Sequence, residues 1–259
     1  MTGGGFARRY GPWVLVAGAS EGLGAAFATE LARRGVGVVL VARRAALLAE
    51  VAQRLPGPSM TVAADLGTPD GLDAVEAATA DAELGLVVAN AAYAPIGAFL
   101  DLDGDQARRM LAVNCLAPVE LARRFLPAMV SRGRGGFVVM SSLAGLQGTP
   151  RIALYSATKA FGAVLADGLW AELRGTGVDV VACVAGAVET PNLAGAKPRR
   201  APGTLPPETV AAATLDGLGR GPRIVPGVVS RLSATLMSRL LPRRAAIAII
   251  DRASRDLTP

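Results

Sequence analysis

Tyr155 and Lys159 are the two side chains of this sequence whose types and spacing point most directly to chemistry. Four residues apart on a helix, they lie one turn from each other on the same face, where the lysine charge favours the phenolate form of tyrosine. A tyrosine whose pKa falls below its ordinary value of about 10 can donate and accept protons near neutral pH. Such a pair is also common on ordinary helix surfaces, so its meaning depends on the residues around it.

The overall composition is that of one large domain with an aliphatic core. The chain has 259 residues, of which 51% are apolar and only 4% aromatic, and it contains no histidine. This length suits a single α/β domain better than two domains. Cys115 and Cys183 are far apart and flanked by apolar residues, so we expect free buried thiols and no metal site.

The net charge of +6 comes almost entirely from arginines, many of them in pairs near the ends of predicted helices. Arginines at helix ends complement the helix dipole, which favours a solvated surface over a nucleic-acid-binding face. No apolar run is long enough to span a bilayer, and residues 1–11 lack the apolar core of a signal peptide. We therefore expect a cytoplasmic protein that does not bind nucleic acid.

Short apolar runs alternate with helical patterns along most of the chain. The predicted strands cover residues 13–17, 36–42, 60–64, 86–90, 136–141, 178–184 and 223–225. The predicted helices cover residues 23–34, 43–55, 69–80, 104–131, 152–174 and 207–218. This order predicts an α/β fold: one doubly wound parallel sheet of about seven strands with helices on both faces.

Three further segments complete the predicted organisation. Residues 1–12 are expected to form a flexible tail before a single domain over 13–259, and residues 230–259 a helical tail. Residues 185–207 are rich in proline, glycine and alanine without a clear period. A loop of this length in a compact domain is usually functional or disordered, and we predict a substrate lid, with a merely flexible connection as the alternative.

A glycine-rich turn follows the first predicted strand and opens the first helix. Glycines stand at positions 18, 22 and 24, where they permit a tight turn and let the phosphates of a dinucleotide approach backbone amides at the helix N-terminus. Their spacing, Gly-x-x-x-Gly-x-Gly, resembles that of the short-chain dehydrogenase/reductase superfamily. The resemblance implies a Rossmann-like fold.

Four further positions fall in register with this family. Asn90 and Ala91 lie in a stretch similar to the family's Asn-Asn-Ala-Gly element, although two of the four positions differ. Asn114 lies on the long fourth helix, and Ser142 precedes Tyr155 by thirteen residues. Asn114, Ser142 and Tyr155 together with Lys159 match the family's Asn-Ser-Tyr-Lys tetrad. The catalytic residues that the resemblance implies are Asn114, Ser142, Tyr155 and Lys159.

The resemblance also implies a role for each member of the tetrad. Tyr155 exchanges a proton with the substrate oxygen while hydride moves between the nicotinamide and carbon. Lys159 holds the nicotinamide ribose and lowers the tyrosine pKa, Ser142 bonds the developing alkoxide, and Asn114 fixes a water that links Lys159 to solvent. The expected activity is that of an NADPH-dependent oxidoreductase, a carbonyl reductase (ketoreductase) or alcohol dehydrogenase.

Preference for NADP(H) over NAD(H) is argued from charge at the end of the second strand. An acid there would bind the adenosine ribose hydroxyls and repel a 2′-phosphate, but the strand ends in Arg43 and Arg44. Arg43 is the expected phosphate ligand, assisted by Ser20, while Glu21 in the glycine turn weakens the preference.

Further cofactor contacts follow from the resemblance. Asp65 and Leu66 resemble the family's adenine-contacting pair, and Thr190 is expected to bond the nicotinamide carboxamide. The full set of implied cofactor-binding residues is Gly18, Ser20, Glu21, Gly22, Leu23, Gly24, Arg43, Arg44, Asp65, Leu66, Asn90, Ala91, Tyr155, Lys159, Gly186, Val188 and Thr190.

The expected substrate is a hydrophobic ketone or secondary alcohol, because the candidate lining segments 93–96, 143–150 and 192–207 are mostly apolar. Two other readings stay open: a non-catalytic NADP(H)-binding sensor or scaffold, and an epimerase or dehydratase without net redox chemistry.

The resemblance further implies a homodimer or homotetramer, assembled through helices 104–131 and 152–174. Small residues at Gly162, Ala163 and Ala166 are expected to allow close approach of a partner. The basic and apolar segment 241–252 is expected to pack on its own domain or on a partner subunit, with a membrane surface or the substrate pocket as alternatives.

Overall fold

Seven parallel strands form one sheet in the order β3-β2-β1-β4-β5-β6-β7 in the computed structural model, which describes residues 3–189 and 203–254. The strands are β1 Trp13–Ala17, β2 Gly37–Ala42, β3 Ser59–Ala63, β4 Leu84–Ala89, β5 Gly135–Ser142, β6 Val178–Ala185 and β7 Arg223–Ile224. The helices are α1 Gly3–Tyr10, α2 Gly22–Arg33, α3 Ala45–Gln53, α4 Pro69–Ala78, α5 Gly104–Leu111, α6 Ala117–Arg132, α7 Ala153–Glu172, α8 Pro207–Asp216, α9 Val228–Thr235 and α10 Arg243–Ser254. The predicted doubly wound parallel sheet is confirmed.

Both faces of the sheet are covered, which explains why the central strands read as unbroken apolar runs. Alternate residues of a strand point to opposite faces. Val14 and Val16 of β1 belong to the core under α1, α2, α3 and α8. Leu15 and Ala17 of the same strand belong to the core under α4, α6 and α7.

The strand order reverses between β1 and β4. From β1 the chain builds outward through β2 and β3, and it then returns to the other side of β1 with β4. Ala17 at the end of β1 lies opposite both Val41 of β2 and Ala89 of β4. In open parallel sheets a ligand crevice forms at the carboxyl ends of the strands where the order reverses.

The helix predicted over residues 104–131 is interrupted by a π-helical turn at Ala112–Leu116. Pro118 follows this turn and has no backbone N–H, so the usual bond to the carbonyl of Asn114 cannot form and the ladder widens. The interruption places Asn114 in the buried part of the helix.

The N-terminal segment differs from the flexible tail that the sequence predicts. Residues 3–10 form α1, whose Phe6 and Tyr10 side chains are fully buried against the sheet. The hydroxyl of Tyr10 donates to the carboxylate of Asp179 at 2.6 Å, and Arg9 pairs with the same carboxylate. The partner lies on β6, 169 residues further along the chain, where a local pattern cannot reveal it.

Gly162, Ala163 and Ala166 of α7 do not face a partner, contrary to expectation. A β-carbon on Gly162 would lie 3.1 Å from Val139 of β5, and Ala163 and Ala166 are buried in the core on that face of the sheet. Their small size therefore serves the packing of α7 on its own sheet.

The C-terminal region is helical, as predicted, up to the last described residue. It consists of α9, a π-helical turn at Leu236–Leu240, and α10. Within residues 3–189 and 203–254, no helix combines the length and apolar character needed to cross a membrane.

Candidate active site

The glycine turn after β1 is closed so tightly that side chains are excluded from it. Gly18 and Gly22 have positive φ angles of 74° and 54°. A β-carbon on Gly24 would lie 1.9 Å from the carbonyl oxygen of Gly18. The side-chain amide of Asn90, at the end of β4, donates to the carbonyls of Ala17 and Gly18 at 3.1 and 3.2 Å and so ties the turn to the switch point.

The start of α2 suits an anionic group. Glu21 is the N-cap residue, yet its side chain accepts no bond from the first turn of the helix. The N–H groups of that turn therefore remain as donors at the positive end of a twelve-residue helix. The tight glycine turn and these donors fit the pyrophosphate of a dinucleotide.

Ser142 and Tyr155 bring two hydroxyl groups together beside this crevice. Ser142 is the last residue of β5 and Tyr155 lies in the first turn of α7. Burial raises the pKa of Tyr155 above its ordinary value of 10.0, and the hydrogen bond with Ser142 opposes that rise. The oxygen of Ser142 also accepts from the backbone N–H of Ala144 at 3.2 Å, which fixes the serine rotamer.

Lys159 is the most deeply buried charge of the site. Only 6% of the residue is exposed, and its ammonium donates to the backbone carbonyl of Met140 at 2.8 Å. Its Nζ atom lies 5.5 Å from the centre of the Tyr155 ring. Burial lowers the pKa of Lys159 from 10.5 to about 8.

The pKa of Tyr155 is not lowered overall, contrary to expectation. The pKa of Tyr155 is raised because burial disfavours the phenolate. Lys159 donates to the carbonyl of Met140 on β5, and burial lowers its own pKa to about 8.

Asn114 links the crevice to α7 through three hydrogen bonds. Its side chain accepts from the backbone N–H of Tyr93 at 2.8 Å and donates to the carbonyl of Tyr93 at 3.0 Å. It also donates to the hydroxyl of Thr158, next to Lys159, at 3.1 Å. Asn114 thus holds the segment after β4 against the helix that carries Tyr155.

At the ends of β1 and β2 the charged residues form a different pattern from the expected one. Arg44, rather than Arg43, donates to Ser20 at 3.2 Å and to the carboxylate of Glu21 at 2.5 Å. Arg43 is exposed, and its charge acts on Asp65. The site therefore contains one arginine held by an acid and a second arginine nearby.

Asp65 is engaged by a residue that the sequence analysis does not identify. Arg109 of α5 donates to both carboxylate oxygens, at 3.0 and 2.7 Å, and the N–H of Gly67 donates at 3.0 Å. Burial alone raises the pKa of Asp65, but these bonds and the charge of Arg43 outweigh it, so the pKa lies below its usual range. Leu66 is buried beside this pair.

The segment after β6 follows the strand that pairs with β5, where Ala185 lies opposite Ser142. Val188 pairs with Leu205, and backbone bonds of 3.0 Å run from Glu189 to Leu205 and from Leu205 to Ala187. A β-carbon on Gly186 would lie 2.5 Å from the hydroxyl oxygen of Ser230, so α9 packs directly on this segment. Thr190 and most of the predicted lid lie outside the described residues.

Other positions of the site were missed at the sequence level. Ser141 donates to the carbonyl of Lys159 at 2.7 Å. A β-carbon on Gly145 would lie 2.8 Å from the backbone of Lys159 and Ala160. The serine pair and the glycine are visible in the sequence, but their contacts with α7 appear only once β5 and α7 are packed together.

The doubly wound sheet carries a glycine turn where its strand order reverses. Ser142 lies at the next strand end, that of β5, with Tyr155 and Lys159 of α7. Together these features define a nicotinamide-dependent oxidoreductase site. A sequence profile of the family described as short chain dehydrogenase matches residues 12–201. The chain belongs to this family, whose members are NAD(P)-dependent oxidoreductases.

Two curated relatives are similar to this chain in sequence and differ in how much of their own length the match covers. A 7beta-hydroxysteroid dehydrogenase of Clostridium sardiniense is 34% identical over 80% of this chain and 79% of the relative. A very-long-chain 3-oxoacyl-CoA reductase-B of Danio rerio is 35% identical over 65% of this chain, and the match spans 57% of that reductase.

Two solved structures share the fold. One, from work on 7beta-hydroxysteroid dehydrogenase stereoselectivity, has a TM-score of 0.87 and 26% identity, and it covers 95% of this chain and 98% of its own. The other, a short-chain dehydrogenase from Sphingobium yanoikuyae in complex with NADPH, has a TM-score of 0.76 and 32% identity over 89% of this chain and 96% of its own.

Proposed function

We propose that this protein is an NADP(H)-dependent carbonyl reductase or alcohol dehydrogenase that acts on a bulky, apolar ketone or the corresponding secondary alcohol. The observation that carries the proposal is the meeting of the Ser142 and Tyr155 hydroxyls at the end of β5, one helical turn from a buried Lys159. These groups can bond a carbonyl oxygen and give it a proton.

In this mechanism the bound nicotinamide supplies or accepts the hydride. Tyr155 donates its phenolic proton to the substrate oxygen during reduction and takes it back during oxidation. The raised pKa keeps the phenol protonated near neutral pH, and stabilisation of the phenolate is needed for the proton to leave. Ser142 bonds the same substrate oxygen and stabilises the negative charge that develops on it.

Lys159 is proposed to hold the nicotinamide ribose and to stabilise the Tyr155 phenolate when it forms. An ammonium with a pKa of about 8 can also return a proton toward Tyr155. Asn114, fixed by Tyr93 and Thr158, is proposed to position the route by which that proton is replaced.

The preference for NADP(H) is proposed on the charges at the end of β2. Arg43 is exposed and stands where an adenosine 2′-phosphate is expected, and Ser20 supplies a hydroxyl. Glu21 partly neutralises Arg44, so Arg43 is proposed to provide most of the discrimination. The NADPH complex of the Sphingobium yanoikuyae relative supports this choice for a similar fold.

An apolar substrate is proposed from the walls of the crevice. Leu143 and Leu146 follow Ser142, and Ile96 lies 55% exposed on the segment after β4. Two relatives carry the names of a hydroxysteroid dehydrogenase and a very-long-chain oxoacyl reductase, and steroids and long acyl chains are large and apolar.

A homo-oligomer is proposed from exposed apolar residues on the long helices. Leu116, at the end of the π-helical turn before α6, is 61% exposed, and Val164 on α7 is 64% exposed. Leu111 and Phe161 are exposed nearby in sequence. Apolar residues exposed together in this way are typical of subunit contacts.

The test is NADPH oxidation with a carbonyl panel: a steroid ketone, a long-chain 3-oxoacyl thioester and a small polar ketone such as dihydroxyacetone. The proposal predicts turnover with the large apolar ketones and a higher kcat/KM for them than for the polar one. Tight NADPH binding without turnover of any carbonyl would instead favour a cofactor-binding sensor.

A further inference from the structure

A row of large apolar side chains lies exposed along α9 and the turn that follows it. Val228, Leu232, Leu236 and Leu240 recur every four residues, and their exposed fractions are 62%, 67%, 43% and 69%. We call these four residues the α9 stripe. Single exposed leucines are ordinary, whereas a continuous exposed row marks an interaction surface.

The π-helical turn at Leu236–Leu240 keeps the α9 stripe on one side of the helix. In an α-helix a spacing of four residues drifts by about 40° at each step, because each residue turns the chain by about 100°. A π turn holds more residues, so each residue turns the chain less and the drift is reversed. Leu240 thereby returns toward the direction of Leu232.

The opposite side of the same segment is seated on the substrate side of the active site. Ser230 is buried against Gly186. The amide of Gln147 donates to the sulfur of Met237 at 3.7 Å, and Arg243 donates to the carbonyl of Leu146 at 3.0 Å. The α9 stripe is therefore the outer surface of a segment whose inner surface contacts the turn after Ser142.

The charged residues of the segment all carry the same sign. Residues 228–250 contain Arg231, Arg239, Arg243 and Arg244 and no aspartate or glutamate. Arg231 and Arg244 are exposed. An apolar helix face, with Arg231 and Arg244 exposed on the same segment and no acid within residues 228–250, complements the interface of a membrane that carries anionic lipids.

We propose that the α9 stripe and its flanking arginines dock the enzyme on an anionic lipid surface. A second copy of the chain is the less favourable occupant, because a two-fold contact through this face would bring arginines against arginines. Docking in this orientation places α9 between the bilayer and the turn after Ser142. An apolar substrate dissolved in lipid would then have only a short path to the crevice.

The test is sedimentation of the full-length protein with phosphatidylcholine vesicles, with and without phosphatidylglycerol. Binding is expected only to the anionic vesicles, and it should fall as salt is raised. The double variant Leu232→Asp/Leu240→Asp should lower the bound fraction at least about tenfold. The matched control is Leu100→Asp, which changes another exposed leucine on a different segment and should bind like the wild type.

A second double variant tests how much the arginine charges contribute to vesicle binding. Arg231→Gln/Arg244→Gln should weaken binding to anionic vesicles while circular dichroism and NADPH affinity stay unchanged. If the double aspartate variant does not fold by these measures, Leu232→Gln and Leu240→Gln are compared singly.

Two results would overturn the proposal. One is the absence of sedimentation with anionic vesicles, or equal binding to neutral ones. The other is a fall in the molar mass of the vesicle-free protein, measured by light scattering, in the double aspartate variant, which would identify the α9 stripe as a subunit contact.

Discussion

The charged groups are buried at the catalytic end of the crevice, whereas they are exposed to solvent at the end of β2, where adenosine is expected to bind. Lys159 at the catalytic end is 6% exposed, and burial shifts its pKa and that of Tyr155. At the adenosine end, the side chains of Glu21 and Arg44 are 34% and 51% exposed and pair with each other in contact with solvent. Burial acts strongly on the first pair, and water screens the second.

This difference separates the two tasks of the enzyme. The catalytic groups are buried, and burial raises the pKa of Tyr155 and lowers that of Lys159, so substitutions there should change the rate or the stability strongly. The adenosine groups form exposed pairs that rearrange easily, so substitutions there should change cofactor preference by smaller factors. Substitutions at four residues should reveal this difference.

Tyr155→Phe should reduce kcat about a thousandfold, because it removes the proposed proton donor while keeping the ring. NADPH affinity, measured by calorimetry, should change little. The matched control is Tyr10→Phe, which removes the hydroxyl that bonds Asp179 far from the crevice and should lower stability with kcat retained. Equal loss of kcat in both variants would argue against a specific role for Tyr155.

Lys159→Met should change how stability depends on pH. The pKa of Lys159 is about 8 when folded and 10.5 as its ordinary value, so between these pH values the unfolded chain binds more protons. The free energy of unfolding of the wild type relative to the variant should therefore rise between about pH 8 and pH 10.5, by up to about 3 kcal/mol, and level off below about pH 8, where both states bind the proton. Urea unfolding at several pH values measures this difference in the free energy of unfolding. A difference that does not change with pH would contradict the burial of a charged lysine.

Arg43→Ala should weaken NADPH binding roughly 10- to 100-fold and leave NADH binding nearly unchanged, since only NADPH carries the 2′-phosphate. Arg44→Ala is the matched variant and should have a smaller effect, because Glu21 already pairs with Arg44. Calorimetry with both cofactors decides. Equal weakening of NADPH and NADH would remove Arg43 as the phosphate ligand.

Glu21→Gln should strengthen NADPH binding by up to about fivefold, because it removes a negative charge near the phosphate and releases Arg44. NADH binding should stay constant. Glu30→Gln, at another ion-paired acid of α2, serves as the control and should leave both affinities unchanged. Weaker NADPH binding in Glu21→Gln would mean that Glu21 orients Arg44 toward the phosphate.

Local patterns sufficed for the seven strands and for the order of landmarks along them. Trp13–Ala17 of β1 is predicted to the residue, because apolar runs and glycine turns are local signals. The positions of Asn114 and Ser142 beside α7 follow once the parallel order of the sheet is known.

Contacts between segments that are far apart along the chain could not be predicted from local sequence patterns. The burial of α1 depends on Asp179, and the engagement of Asp65 depends on Arg109. The choice between Arg43 and Arg44 as the partner of Glu21 depends on side-chain direction after β2. The raised pKa of Tyr155 depends on burial, which only packing determines.

The backbone bridge between Val188 and Leu205 also affects how easily the length of the chain between them can change. Its backbone bonds hold the two ends of the intervening chain side by side, independently of the side chains between them. The entropic cost of closing a loop grows only slowly with its length. A change in the length of the chain that joins the two bridged segments should therefore cost little free energy, while the glycine turn and Tyr155 remain as they are.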